Sequence, residues 1–438
     1  MFETIVAIST AVNDNAIAII RLSGDQAIEI VDGIYSKDLS QQDGFTMSHG
    51  YIQDGEEIID EVLVSVFRAP NSYTREDIVE INTHGGAYVT RKIFNLLLTK
   101  GARMAGPGEF TKRAYLNGRI NLSQAESIND LINANNEAKA VSSIKGVNGS
   151  ISRLIEPLLE ELMQVIGTIE VNIDYPEYDD VVIMTNEKVL PLLKDFLIKA
   201  NDIVDKARRF RVIKDGIKVA IVGKPNVGKS SLLNALVQKD KAIVTDIPGT
   251  TRDLIEDTIN LKNISLHLID TAGIMESDDI IEAEGINRSL KAIEEADLIL
   301  FVIDHTYNEE DEKLFEYIKD RNYLIVRNKK DLDDSGSQIK IAAREKDISE
   351  LTDYLEQQYA DDYSLINEDV LNNERQISLM VMAANEIKEA IEAVNEGREI
   401  DLISDDLYSA YHYLKEILGE ESRDDLIDSL FRNFCLGK

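Results

Sequence analysis

Residues 223 to 231 read GKPNVGKSS, which fits the spacing G-x-x-x-x-G-K-[ST] between a β-branched run, IKVAIVG, and a helix-like one, SSLLNALVQ. In that setting Gly223 and Gly228 let the backbone curl so that its N–H groups face phosphate. Lys229 neutralises the terminal phosphates, and Ser230 supplies a ligand for magnesium. Further on, Asp270-Thr271-Ala272-Gly273 ends a second apolar run, and Gly273 lets a backbone N–H approach the terminal phosphate without a side-chain clash. Asn328-Lys329-Lys330-Asp331 follows a third run, YLIVR. A carboxylate at Asp331 accepts both N–H groups of the guanine edge, whereas adenine would leave it partly unpaired. Between the first two pieces, Thr250-Thr251-Arg252-Asp253 offers the Thr251 hydroxyl to magnesium. Each piece is weak by itself. In this order they imply GTP rather than ATP. The expected nucleotide contacts are Asn226, Val227, Gly228, Lys229, Ser230, Ser231, Thr245, Asp246, Ile247, Pro248, Gly249, Thr250, Thr251, Asp270, Thr271, Ala272, Gly273, Asn328, Lys329 and Asp331.

One position breaks the pattern. Directly after Gly273, where many GTPases keep the glutamine that orients the attacking water, stands Ile274. An aliphatic side chain orients nothing, so the chain is either a poor hydrolase or positions its water by another route.

The elements that must carry these loops show as changes of pattern. Residues 1 to about 117 mix short apolar runs (TIVAI, AIAIIRL, EVLVSVF, DIVEI) with turn residues, a strand-rich α+β pattern. From Asn121 the spacing turns helical: Ser123-Gln124-Ala125-Glu126 reads as a capping box, and Ile155, Leu158, Leu162, Ile166 and Ile169 recur on one helical face. From Ile217 the pattern alternates β and α, which implies a parallel sheet covered on both faces. After about residue 370 it is helical again. The fold class expected is multidomain, α+β and α/β. Its parts are an N-terminal α+β domain (1–117), a helical domain (118–210 with 372–438), and a P-loop GTPase domain (216–371) inserted into the latter.

Composition sets limits. The 438 residues are enough for about three domains with their own cores. No apolar stretch approaches the length of a membrane span, and MFETIVAIST has no basic region of a signal peptide, so a cytoplasmic location without membrane attachment is expected. The single cysteine, Cys435, cannot form an internal disulfide. A net charge of −33 repels polyphosphates as a whole, so any nucleic acid must be met by a local patch or through another protein.

Segments outside the nucleotide motifs carry a resemblance. APNSYTREDIVEINTHGG, PGEFTKRAYLNGRINLSQAE, NIDYPEYDD and the terminal FCLGK look like those of the MnmE (TrmE) family, tRNA-modification GTPases that act on the wobble uridine. The terminal segment has no counterpart in generic GTPases. The resemblance runs essentially end to end, and it implies an N-terminal domain that binds folate and forms a homodimer. It further implies GTP hydrolysis coupled to adding a carboxymethylaminomethyl or aminomethyl group to uridine in tRNA. The flavin-bound partner MnmG (GidA) would join in a heterotetramer, and 5-formyl- or methylene-tetrahydrofolate would supply the one-carbon unit.

Residue by residue, the resemblance places folate contacts at Arg21, Glu80, Arg119 and Lys438, and a role near the modification site at Cys435. It also answers Ile274. Glu282, by itself an unremarkable glutamate in an acidic stretch, matches the family's catalytic glutamate, which acts on the attacking water through a bridging water, while Lys229 is the catalytic group on the terminal phosphates. Asn226, together with carbonyls of Thr245, Ile247 and Thr250, holds potassium against the phosphates, where other GTPases place an arginine finger. VNDNA at 12–16 departs from the family's Gly-rich loop, and Ile341-Ala342-Ala343 from its Ser-Ala guanine loop. A ribosome-assembly switch or a regulatory GTP-binding protein without modification chemistry remains the alternative, and folate binding separates them.

Overall fold

A computed structural model describes residues 3–13, 15–174, 186–241, 258–262, 264–269, 293–304, 307–331, 339–398, 403–420, 427, 430–432, 434 and 437. The chain divides into two compact units, residues 1–132, 146–193 and 385–438, and residues 133–145 and 194–384.

In the first unit six strands form a sheet of order β3-β4-β5-β2-β1-β6: β1 (Ile5–Ile8), β2 (Ile17–Ser23), β3 (Thr46–Asp54), β4 (Glu57–Phe67), β5 (Ile78–His84) and β6 (Arg103–Met104). Only β6 runs parallel to its neighbour. Because successive strand residues face opposite sides, Ala18, Ile20 and Leu22 of β2 point inward while Ile17, Ile19 and Arg21 point to the open face. Ile20 and Leu22 join Val62, Val64, Val66, Val79 and Ile81 in a core closed by Ile30 and Val31 from one helix and Ile93 and Leu97 from another. The open face keeps exposed apolar groups, with Ile17, Met47 and Leu63 at 59%, 60% and 42% exposure.

The helices of this unit follow the expected stripe. In Ser150–Asp174, Ile155, Leu158, Leu162, Ile166 and Ile169 are all buried, and the helix Ser404–Leu418 packs against it. The capping box, however, lies two residues earlier than its sequence signature. The helix begins at Leu122; Asn121 Oδ1 accepts from the Gln124 amide at 2.9 Å, and Gln124 Oε1 accepts from the Asn121 amide at 3.0 Å. Asparagine offers the same acceptor as serine and stands one helical turn before a residue that can reciprocate. Ser123 instead donates to Asn121 Oδ1 at 2.8 Å.

The second unit holds a six-stranded sheet of order β12-β11-β10-β7-β9-β8: β7 (Ile217–Val222), β8 (Thr258–Asn260), β9 (Ser265–Leu268), β10 (Leu298–Ile303), β11 (Tyr323–Asn328) and β12 (Ile339–Ile341). All pairs are parallel except β8–β9, an edge strand too short to show as an apolar run. Every residue of β10 is buried. Leu298, Leu300 and Val302 enter one core and Ile299, Phe301 and Ile303 another, so the run is continuous because both faces are covered.

Candidate functional site

The site grows from the carboxyl ends of β7, β10 and β11, where loops of a doubly wound sheet converge. After Val222 the chain turns through Gly223 to Gly228 and enters the helix Lys229–Lys241. Asn226 stands exposed in a left-handed conformation at φ 59°, and Val227 is buried behind it. Gly228, at φ 104°, has no alternative: a Cβ there would lie 2.1 Å from Asn328 Nδ2. Lys229 folds back over the loop and donates to the carbonyls of Gly223 at 2.7 Å and Lys224 at 2.9 Å. Burial pulls its pKa below the ordinary lysine value, so an anion that takes over these contacts meets a cation already stripped of water.

Asn328 ties the loops together. Its Nδ2 donates to the Val227 carbonyl at 2.9 Å, and its Oδ1 accepts from the Ala343 amide at 3.1 Å. The Ala342-Ala343 segment, where the sequence departs from the family's Ser-Ala loop, is thus tied to Asn328 through its backbone, a bond that needs no serine. Lys329 follows at φ 67°, the Lys330 amide donates to the Ile341 carbonyl at 3.0 Å, and Asp331 stands exposed at the turn. Ser230 and Ser231 lie in the first turn of the helix Lys229–Lys241, and Ser230 is exposed. Thr245 to Thr251, Asp270 to Gly273, Glu282, Cys435 and Lys438 fall outside the described residues.

Reading the sequence missed a charged cluster under this loop. Lys224 Nζ lies 2.8 Å from Asp311 and 3.2 Å from Asp304, and Lys329 Nζ lies 3.1 Å from the other oxygen of Asp304. Burial opposes the charge on Lys224, but the hydrogen bonds it donates to Asp311 and Asp304 outweigh it and raise its pKa. Asp311 also closes a capping box with Asn308 at the start of the helix Glu309–Ile318. Asp304 directly follows β10 in DLILFVID, the one available signal, since a charge at the end of a fully apolar strand faces the loops.

In the first unit, two of the expected folate contacts meet. Arg21 and Glu80 are cross-strand partners on the open face, with Arg21 Nε and Nη2 both 2.8 Å from Glu80 Oε1. Arg21 also reaches the Gly437 carbonyl at 3.4 Å and lies 5.7 Å from the centre of the Phe110 ring. Arg119 sits 4.8 Å from the ring centre of Tyr73, which packs in one cluster with Phe110. A half-buried ion pair, two rings and a second guanidinium fit a flat, polar heterocycle with an anionic tail. Behind this surface Arg113, 2% exposed, binds Glu76 at 2.9 Å, Glu109 at 3.0 Å and the Glu3 carbonyl at 2.7 Å, fixing the PGEF segment to the TRED loop.

A phosphate loop on a parallel sheet, joined through an asparagine to a Lys-Lys-Asp turn, defines a P-loop GTPase. Comparison with known proteins gives the family. The GTP-binding protein TrmE N-terminus matches residues 4–119, and the MnmE helical domain matches residues 122–435. A tRNA modification GTPase MnmE from Lactococcus lactis subsp. cremoris is 46% identical over 449 residues, covering 100% of this chain and 99% of the relative. The protein of the same name from Bacillus mycoides is 44% identical over 458 residues, covering 100% of both. The chain belongs to the MnmE (TrmE) family of tRNA modification GTPases, and it is a GTP hydrolase. Among the described residues no helix is long and apolar enough to cross a membrane.

Proposed function

We propose that this GTPase drives the addition of a carboxymethylaminomethyl or aminomethyl group to C5 of the wobble uridine, in the cytoplasm, as a homodimer joined by the flavoprotein MnmG (GidA). The observation that carries the reading is the meeting of the two chain ends: the Gly437 carbonyl accepts from Arg21 and, at 3.3 Å, from the Ser9 hydroxyl. This brings Gly437, two positions after Cys435 in the sequence, to the Arg21–Glu80 pair. Glu80 then pairs with the N–H edge of a reduced folate, and Arg21, Arg119 and Lys438 meet its anionic tail. The folate, when bound, supplies the one-carbon unit. Exposed Ile17, Met47 and Leu63 on the same sheet face favour a second copy as the neighbour of residues 1–117. The helical domain, 118–210 with 372–438, carries the inserted GTPase domain, 216–371.

In the GTPase domain the Asn226 amide, exposed at the outer turn of the phosphate loop, joins the carbonyls of Thr245, Ile247 and Thr250 in holding potassium. Ser230 and Thr251 hold magnesium, and Glu282 positions the attacking water. These cations compensate charge that develops on the phosphates. The test is nucleoside analysis of tRNA from cells lacking the chain, complemented with the parent gene or with Lys229→Ala. Loss of the C5 group, restored only by the parent, is expected. Wobble uridines left intact by the deletion overturn the proposal.

A further inference from the structure

The cluster beneath the phosphate loop has an arrangement that simple charge neutralisation does not require. Lys224 belongs to the loop that wraps phosphate, Lys329 to the loop that reads the base, and one carboxylate, Asp304, serves both: Oδ1 at 3.2 Å from Lys224 and Oδ2 at 3.1 Å from Lys329. Lys224 and Asp304 are each 8% exposed and Asp311 is fully buried, so water screens the Lys224 contacts less than it would on the surface, while the Lys329 side chain is partly exposed. The Lys224 carbonyl is one of the two acceptors that hold Lys229. Its side chain is fixed in turn by Asp311, itself anchored by the Asn308 amide at 3.0 Å. A shift of Asp304 therefore reaches Lys229 through Lys224, and the base loop through Lys329. The asparagine link between the loops runs over other atoms, from Asn328 to Val227.

We propose that Asp304 is a positioning residue for nucleotide binding, a two-sided carboxylate that couples the phosphate loop to the guanine loop through Lys224 and Lys329. Each half of the nucleotide then gains from the order imposed by the other.

The inference rests on the nucleotide lying against these two loops. In the full-length protein, dissociation of a prebound fluorescent GDP is followed after a chase with excess GDP, a rate that does not depend on the folded fraction. Asp304→Asn is expected to speed dissociation about tenfold, the size of an interaction within one network. Lys224→Gln and Lys329→Gln should combine less than multiplicatively in the parent and multiplicatively in the Asp304→Asn background. Unchanged dissociation in Asp304→Asn, whatever its kcat, overturns the proposal. So does a multiplicative effect of the two lysine changes in the parent. Failure of the parent to bind GDP would instead refute the nucleotide site itself.

Discussion

Gly108, in the PGEF segment, opens the helix Glu109–Leu116 in the left-handed region, at φ 63° and ψ 9°. A Cβ there would meet the Phe431 carbonyl oxygen and the Phe434 Cβ, both at 2.8 Å, and neither is the free end of a flexible chain. Gly108→Ala thus incurs about 1 to 2 kcal/mol for the backbone conformation. Displacing a packed neighbour adds about 1 to 3 kcal/mol. The pair pushed aside is Phe431 and Phe434, whose ring centres are 5.1 Å apart, and Phe434 leads directly into the tail that reaches Arg21. The expected loss is therefore local, roughly 2 to 5 kcal/mol, which speeds exchange from the opened state by about 30-fold to several thousand-fold. Hydrogen exchange of the peptide holding Phe434, whose amide donates to Phe431 at 3.1 Å, reads it directly. Gly106→Ala is the control. A Cβ there meets only Glu109 Oε2 at 3.7 Å, an ordinary contact, so its exchange should match the parent. Equal exchange in the two variants would show that the PGEF segment does not seat the C-terminal tail.

Other outcomes follow from the sites. Asp331→Asn should weaken GTP binding about 100-fold and favour xanthosine triphosphate, because an amide donates to the extra carbonyl; competition against labelled GDP checks it. GTP turnover should be fast in potassium and slow in sodium. Asn226→Ala should abolish that preference, and Glu282→Ala should lower kcat with affinity nearly intact; equal rates in both salts would remove potassium from the mechanism. Burial pushes the Glu109 carboxyl up, but hydrogen bonds from Arg103, the Gly106 amide and Arg113 together hold its pKa below the ordinary value of 4.5. A depressed carboxylate contributes stability that is complete above its unfolded pKa and is lost as pH falls through the folded one. Glu109→Gln should therefore cost about 1 to 2 kcal/mol near neutrality, discounted for partial screening. The gap should narrow as pH drops below about 4.5, and a gap independent of pH would contradict the assignment.

Motif spacing and apolar alternation report what depends on neighbours along the chain. GKPNVGKSS needs only its own spacing to make a phosphate loop, and NKKD after YLIVR needs only a strand to carry it. The alternation in AIAIIRL decides which side chains of β2 face inward, and the unbroken LILFVI tells that both faces of β10 are covered. Even here neighbouring acceptors compete, and Asn121 rather than Ser123 begins its helix.

Which distant residues come within reach of one another depends on the packing of the strands and segments that carry them. Arg21 and Glu80 are separated by 59 positions, and only the register of β2 on β5 sets them opposite each other; a slip of one residue would put them on different faces. Gly437 meets Arg21 across 416 positions because the PGEF glycine leaves room for Phe431 and Phe434. Asp304 reads in sequence as the polar end of an apolar strand. Its two lysines come from loops on either side of it along the chain, and they converge because β7, β10 and β11 lie side by side and parallel, so that their carboxyl ends open at one edge.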